Sequence, residues 1–300
     1  MRVLIAEDDP VSRYILKARL LYWKYEVVAV EDGIQAFETL AQGDAPRLAL
    51  LDWMMPFKDG PQVCRELRAA TANRYTYLIL LTSRGDKSDV AEGIEAGADD
   101  YVVKPVDPIE LRARLLAGCR IIELHDQLFE AQEKLLRQAT HDSLTAVLNR
   151  TAILERLEAE IQRARREGSP LTVMMADIDQ FKQINDTHGH QAGDQVLRLA
   201  AQSMASAVRV YDAVGRYGGD EFLIVAPGCD SLTAEKLSQR LHAEIRRSTK
   251  VAAPHIAVTS SFGVVTDGAA QMNSDELIRT ADGALYEAKS KGRDRTERWK

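Results

Sequence analysis

The run Arg216-Tyr217-Gly218-Gly219-Asp220-Glu221-Phe222, followed by Leu223-Ile224-Val225, puts two carboxylates at the tip of a turn. Consecutive glycines accept backbone angles that other residues resist and let a bulky ligand approach the main chain. With β-prone segments at 212–217 and 222–226, the spacing predicts a turn held between paired strands. Acids fixed in this way suit a divalent cation, or removal of a proton from a hydroxyl. Upstream, Leu171 to Ala176 reads as a buried strand with Asp177-Ile178-Asp179 at its end. Asp177 meets Asp220 and Glu221 if the two strands are neighbours. Taken alone, the Gly-Gly-Asp-Glu run also reads as a solvated turn.

Between these acids, residues 181–194 mix amides, acids and glycine turns. Asp194 can accept from the N1-H and amino group of a guanine, and Asn185 can both donate and accept. A helix cap is the competing role for Asn185. His188 and His190 have no third nitrogen or sulfur partner and are assigned to structure. Lys289 and Arg293 lie four apart in a helical pattern from Ser274 to about Lys291, so they are expected on one face, where they can bind a triphosphate.

A 300-residue chain, 45% hydrophobic, can supply two cores. Its net charge of -6 provides no broad basic field, which argues against a nucleic-acid duplex as partner. The three scattered cysteines, Cys64, Cys119 and Cys229, suit a reducing compartment without disulfides. The opening Met1 to Ala6 runs straight into Glu7-Asp8-Asp9, too short and too acidic for a signal peptide, and no stretch approaches a membrane span. A cytoplasmic protein with no membrane partner is expected.

From Met1 to about Val106, apolar runs at 3–6, 27–30, 48–51, 78–81 and 101–103 alternate with helical patterns. This alternation predicts a doubly wound α/β domain with a parallel sheet, whose ligands bind beyond the carboxyl ends of the strands. Glu7, Asp8, Asp52, Thr82, Ser83 and Lys104 sit at those ends. Three carboxylates converging with one lysine suggest a magnesium site beside an oxygen nucleophile.

These residues, with Leu51 to Pro56, Asp59-Gly60 and Tyr101 to Pro105, resemble the receiver domain of two-component response regulators. The resemblance implies that Asp52 accepts a phosphoryl group from a cognate histidine kinase. It also implies one Mg2+ held by Asp8, Asp52 and the Met54 carbonyl, with Glu7 acting mostly through water. Thr82 and Lys104 would bind the phosphoryl oxygens and Tyr101 would be the aromatic switch. An acyl phosphate needs this neutralisation by metal and ammonium.

Residues 108–140 form a connector between the receiver at 1–107 and a domain at 141–300. Ile121, Leu124, Leu128, Ala131, Leu135 and Gln138 keep a three-four spacing, expected to make one seam of a long helix able to pair in a two-stranded coiled coil. Gly118 and Gln138 are weak points of the heptad. A helix packed on its own domain is the competing reading.

The second domain resembles the GGDEF diguanylate cyclases, an α/β family related in fold to nucleotidyl cyclases. The motifs are Asp142 to Thr145, the block from Asp177 to Asp194, Arg216 to Phe222, Ser261-Phe262-Gly263, and Ala281 to Lys289 continuing to Gly292-Arg293. Ala146 stands where the family has glycine, and Asp294 where it has asparagine. The resemblance implies that two GTP are joined into cyclic di-GMP with loss of two pyrophosphates, by a homodimer with one GTP on each domain. Two Mg2+ would be held by Asp177, the Ile178 carbonyl, Asp220 and Glu221, with Asp220 the candidate base and the roles of the two turn acids unseparated. Lys182, Lys289 and Arg293 would neutralise the β and γ phosphates. Arg209 and Asp212, just upstream of the turn, resemble the family's product-inhibition site. A non-enzymatic receptor for GTP or cyclic di-GMP is the alternative, but such receptors usually lose the acidic turn, which is intact here. A transcription factor would need a helix-turn-helix, and none follows the receiver.

Overall fold

The computed structural model describes residues 1–70, 75–83, 87–252, 256 and 258–299. Two compact units divide it, Met1–Gln132 and Glu133–Lys300.

The first unit alternates strand and helix: β1 Arg2–Ala6, α1 Pro10–Tyr22, β2 Glu26–Val30, α2 Gly33–Leu40, β3 Leu48–Asp52, α3 Gly60–Ala70, β4 Tyr77–Thr82, α4 Lys87–Glu95 and β5 Asp100–Val103. The five strands are parallel, in the order β2-β1-β3-β4-β5. Helices cover both faces of such a sheet, which is why β3 and β4 are buried at every position and read as unbroken apolar runs. Asp9 caps α1 by accepting from Ser12 N at 2.7 Å, with Pro10 opening the helix. Parallel strands bring the ends at Glu7, Asp52, Thr82 and Lys104 to one edge of the sheet.

Helix α5, Pro108–Thr140, runs for 33 residues. Leu111, Leu115, Gly118 and Ile122 form its buried face. A Cβ on Gly118 would fall 2.6 Å from the Tyr77 ring and 2.9 Å from Leu48, so Gly118 belongs to this packing face and lies off the seam. Stacking of His125 on Tyr75, with ring centroids 4.8 Å apart, and an ion pair from Asp126 to Arg47 extend the attachment. Leu124, Leu128 and Leu135 of the expected seam are more than half exposed.

The second unit contains α6 Arg150–Glu167, β6 Leu171–Ile178, α7 Phe181–His188, α8 His190–Ala207, β7 Ala213–Arg216, β8 Glu221–Pro227, α9 Ser231–Ala252, β9 Ser260–Asp267, α10 Ser274–Ser290 and β10 Thr296–Arg298. Its sheet order is β10-β9-β6-β8-β7, with β6 antiparallel to β8 and β9. Alternate residues of β6 feed two cores: Met174, Ala176 and Ile178 pack in one, Leu171, Val173 and Met175 in the other. Gly168, left-handed at φ 63, closes α6, and an Asn273–Glu276 capping box opens α10. Among the described residues no helix is long and apolar enough to cross a membrane.

Candidate functional site

Central strand β6 positions the first acid of the second unit. Asp177 pairs in register with Glu221 of β8, and Ile178 N donates to Asp220 O at 3.3 Å. Tyr217 N and Gly218 N both donate to Glu221 O, closing the turn. A Cβ on Gly218 would lie 2.6 Å from Glu221 Oε2, so the carboxylate folds back over Gly218 and would have to swing away from a larger residue there. Arg216 donates from Nε and Nη2 to Gly219 O at 3.0 and 2.6 Å, and from Nη1 to Asp142 at 3.1 Å. Burial works against the Asp142 charge, but bonds from Thr145 and the Arg216 guanidinium hold its carboxyl below the usual range.

Lys289 of α10 reaches Asp177 Oδ2 at 2.7 Å. Burial, with Asp220 and Glu221 adding to it, still pushes the Asp177 carboxyl up to about 6 against the pull of Lys289. Carboxylates and a carbonyl are the hard oxygen donors that suit Mg2+. The acids here are not gathered as tightly as in the first unit: among the described residues only Glu7, Asp8 and Asp52 bring ligand oxygens within 4.8 Å of one another. Instead, Lys289 supplies part of the countercharge to Asp177.

Asn185 and Asp194 stand on successive helices, α7 and α8. A Cβ on Gly193 would meet Asn185 Oδ1 at 1.8 Å, so the amide rests on the α8 backbone next to Asp194. Asn185 caps neither helix, since the caps are Gln180 and Gly189. Lys182 is exposed on the first turn of α7.

Arg293 requires a correction. It does not share a helical face with Lys289, because α10 stops at Ser290 and residues 292, 293 and 294 turn left-handed, at φ 112, 59 and 52. Gly292 permits this exit and Asp179 holds it, accepting from Asp294 N at 3.0 Å. Arg293 lines a cavity of about 430 Å3 with Gln180, Gln183 and Thr187, apart from Lys289. Asp179 is the residue to which the motif reading assigned no role. It is buried and also accepts from Thr259 and Ser261 hydroxyls at 2.7 Å. Its two-residue spacing from Asp177, on the same face of the strand end, is the signal that could have found it. Ala146, at φ 60, adopts the left-handed backbone that glycine takes without strain.

On the loop before β7, Asp212 Oδ2 accepts from Arg209 N at 2.8 Å, while its buried Oδ1 has no partner among the described residues. Burial raises the Asp212 carboxyl above its ordinary value, with Arg209 opposing. A cavity of about 130 Å3 next to this loop is lined by Arg209, Asp212, Lys236 and Arg240.

In the first unit, Lys104 Nζ lies 2.8 Å from both Asp52 Oδ1 and Glu7 Oε2. Burial raises the Glu7 and Asp52 carboxyls despite this ammonium. Burial also disfavours the Lys104 charge, but its bonds to Asp52 and Glu7 prevail and raise it. Buried acids with raised affinity for protons fit a cation that supplies the missing positive charge. Asp8 is exposed beside them. Thr82 O accepts from Lys104 N at 2.7 Å, placing the threonine at the same edge. Lys104-Pro105 is cis. Tyr101 is half-buried against the core, with the Arg114 guanidinium 5.9 Å from its ring centre. The Met54 side chain is exposed, leaving only its backbone as the candidate ligand.

Residues 139–295 match the family described as Diguanylate cyclase, GGDEF domain, and residues 3–116 match the Response regulator receiver domain. Response regulator PleD of Caulobacter vibrioides is 32% identical over 98% of this chain and 64% of its own length. Diguanylate cyclase DosC of Escherichia coli is 38% identical over 63% of this chain and 42% of its own length. The chain therefore spans under two thirds of these relatives. The solved coiled coil and GGDEF domain of DgcB from Caulobacter crescentus, in complex with c-di-GMP, is 30% identical with a TM-score of 0.55, covering 63% of this chain and 99% of that one. With more than half of its residues in the first match, the chain belongs to the GGDEF diguanylate cyclase family, joined to an N-terminal response regulator receiver domain.

Proposed function

We propose that the protein condenses two GTP into cyclic di-GMP and two pyrophosphates, under control of phosphorylation at Asp52. The observation that carries this reading is the register of Asp177 against Glu221, with Asp220 one residue away. Each 3′-hydroxyl oxygen bonds to the α-phosphorus of the other GTP, the bond from that phosphorus to the β-phosphate oxygen breaks, and pyrophosphate departs. The hydroxyl proton passes to a carboxylate of the acidic turn, Asp220 or Glu221. Asp177, the Ile178 carbonyl, Asp220 and Glu221 would hold two Mg2+ ions, which when bound neutralise charge on the attacking and leaving oxygens. Asn185 and Asp194 select guanine, and Lys182, Lys289 and Arg293 balance the phosphate charge.

Two domains must face each other to join two nucleotides, so a homodimer through the exposed α5 seam is the working form. In the receiver, Asp8, Asp52 and the Met54 carbonyl would hold one Mg2+, with Glu7 acting mostly through water. Lys104 and Thr82 receive the phosphoryl oxygens from a histidine kinase donor, and Tyr101 turns with Thr82. Cyclic di-GMP restrains the enzyme at Arg209 and Asp212, where the unpartnered Asp212 Oδ1 offers an acceptor to a guanine. Three free cysteines agree with a cytoplasmic setting. Retention of Asp177, Asp220 and Glu221 favours an enzyme over a non-enzymatic receptor of the same ligands.

Purified protein incubated with GTP and Mg2+, with and without beryllofluoride, tests this by chromatography of the products. Cyclic di-GMP should form, faster with beryllofluoride in the wild type but not in Asp52→Asn, and Arg209→Ala should relieve inhibition by added product. No cyclic di-GMP from the beryllofluoride-treated wild type would remove the enzyme reading.

A further inference from the structure

Arg293 is held in a conformation that its own chemistry does not favour. It and Asp294 follow Gly292 at positive φ, a geometry that glycine takes freely and aspartate tolerates but that costs an arginine. Strained backbone persists only where the surroundings over-determine it. Here the restraints converge on Asp294. Its N–H donates to Asp179 Oδ2 at 3.0 Å, and its carboxylate pairs with Arg246 of α9. His242 Nδ1 lies 4.0 Å from its Oδ1, and neither atom has another partner among the described residues. Asp179 is in turn locked by Thr259 and Ser261, and Arg293 N donates to Ala288 O at 3.1 Å.

We propose that Asp294, anchored by Arg246 and Asp179, is a positioning residue that presents Arg293 to the terminal phosphates of GTP. The inference rests on the phosphate-binding reading of Arg293. Asparagine and aspartate both tolerate left-handed backbone because their short polar side chains bond locally. Only aspartate adds an ion pair with Arg246, so this chain braces the loop by charge. Two carboxylates at the end of β6 thus do parallel jobs: Asp177 takes Lys289, and Asp179 takes the Asp294 backbone.

The test measures binding of 3′-deoxy-GTP, which lacks the attacking hydroxyl, and of GMP to the full chain with Mg2+ by calorimetry. Asp294→Ala should weaken 3′-deoxy-GTP about tenfold, equal to about 1.4 kcal/mol, while GMP changes less than about twofold. Asp294→Asn, which keeps the backbone preference and an acceptor for Arg246, should stay within about threefold of the wild type. Arg246→Ala, at a half-exposed position, should shift 3′-deoxy-GTP in the same direction as Asp294→Ala. Equal losses for GMP and 3′-deoxy-GTP would make Asp294 merely structural and overturn the proposal. So would unchanged 3′-deoxy-GTP binding in Asp294→Ala when Arg293→Ala weakens it, and in that case the phosphate reading survives. If Arg293→Ala itself leaves 3′-deoxy-GTP binding unchanged, the phosphate reading fails and takes the inference with it.

Discussion

A chain of hydrogen bonds runs from Asp142 through Arg216 to the Gly219 carbonyl, and it ends on the turn that bears Asp220 and Glu221. Arg216→Ala removes both donors to Gly219 while leaving the strand pairing of β7 and β8 in place. Displacement of reacting groups by about 1 Å can lower a rate on the order of 100-fold. The expected outcome is a fall of about 10- to 100-fold in kcat for cyclic di-GMP formation, with a melting temperature close to wild type. A variant with unchanged kcat would show that the turn holds its shape without the guanidinium. His242 gives a separate, pH-dependent prediction. Burial keeps its imidazole below the ordinary 6.5, and Arg246 adds to this while Asp294 and Asp179 oppose. As pH falls through 6.5 the unfolded chain takes up a proton that the native imidazole refuses, so stability is lost below that pH and restored above it. Chemical denaturation between pH 7.5 and 5.5 should show a shallower acid loss for His242→Gln, the difference not exceeding about 1.4 kcal/mol per pH unit for one proton. Parallel curves would remove His242 as the cause.

Helix α10 brings Lys289 to Asp177, and its seat on β9 depends on one small residue. A Cβ on Gly263 would fall 2.0 Å from Ala281 O and 2.2 Å from Leu285 N, backbone atoms that cannot rotate away. Gly263→Ala must therefore push α10 off the sheet. Overpacking typically costs about 1–3 kcal/mol, and a backbone clash belongs at the upper end or beyond. Denaturant titration should show that loss, and the Lys289–Asp177 pair should weaken with it, lowering GTP affinity. Stability within about 0.5 kcal/mol of wild type would mean the helix adjusts freely. The receiver sheet works by a different rule at the same scale. Its parallel strands carry Glu7, Asp52, Thr82 and Lys104 to a single edge, whatever the loops between them do.

At the scale of the whole molecule, the proposed condensation joins two copies, and that reading puts their contact on the leucines left exposed along α5. Burying one leucine is worth about 1.5–3 kcal/mol, so changing Leu128 and Leu135 to glutamate should weaken self-association by well over tenfold. Sedimentation should find the double variant monomeric at concentrations where the wild type pairs. Its rate per chain should fall at low protein concentration and recover in part when concentrated. A monomeric variant with full activity would sink the dimer reading. The helix has two faces at work: Leu111, Leu115 and Ile122 bury into the first unit, while Leu124, Leu128 and Leu135 remain outside.

Most of this architecture was legible in the sequence, because β3, β4 and β6 are buried on both faces and must be written as continuous apolar runs. Helix α5 could be read from the stretch without a Gly- or Pro-rich break after Pro108 and from the three-four spacing between Ile121 and Gln138. The acidic turn could be read because the Gly-Gly pair stands between two β-prone segments, which form β7 and β8. The end of α10 could not. Helical spacing carried Arg293 onto the face of Lys289, whereas a bond from the distant Asp179 captures Asp294 N and turns the chain after Gly292. The brace from Asp142 through Arg216 to Gly219 and the seat of Gly118 against Tyr77 were equally hidden. Local patterning determined which residues form strands, helices and the turn at Gly218-Gly219. Only the tertiary structure decided which distant carboxylate meets which N–H or ammonium, because those pairings depend on strand order and on groups far apart along the chain.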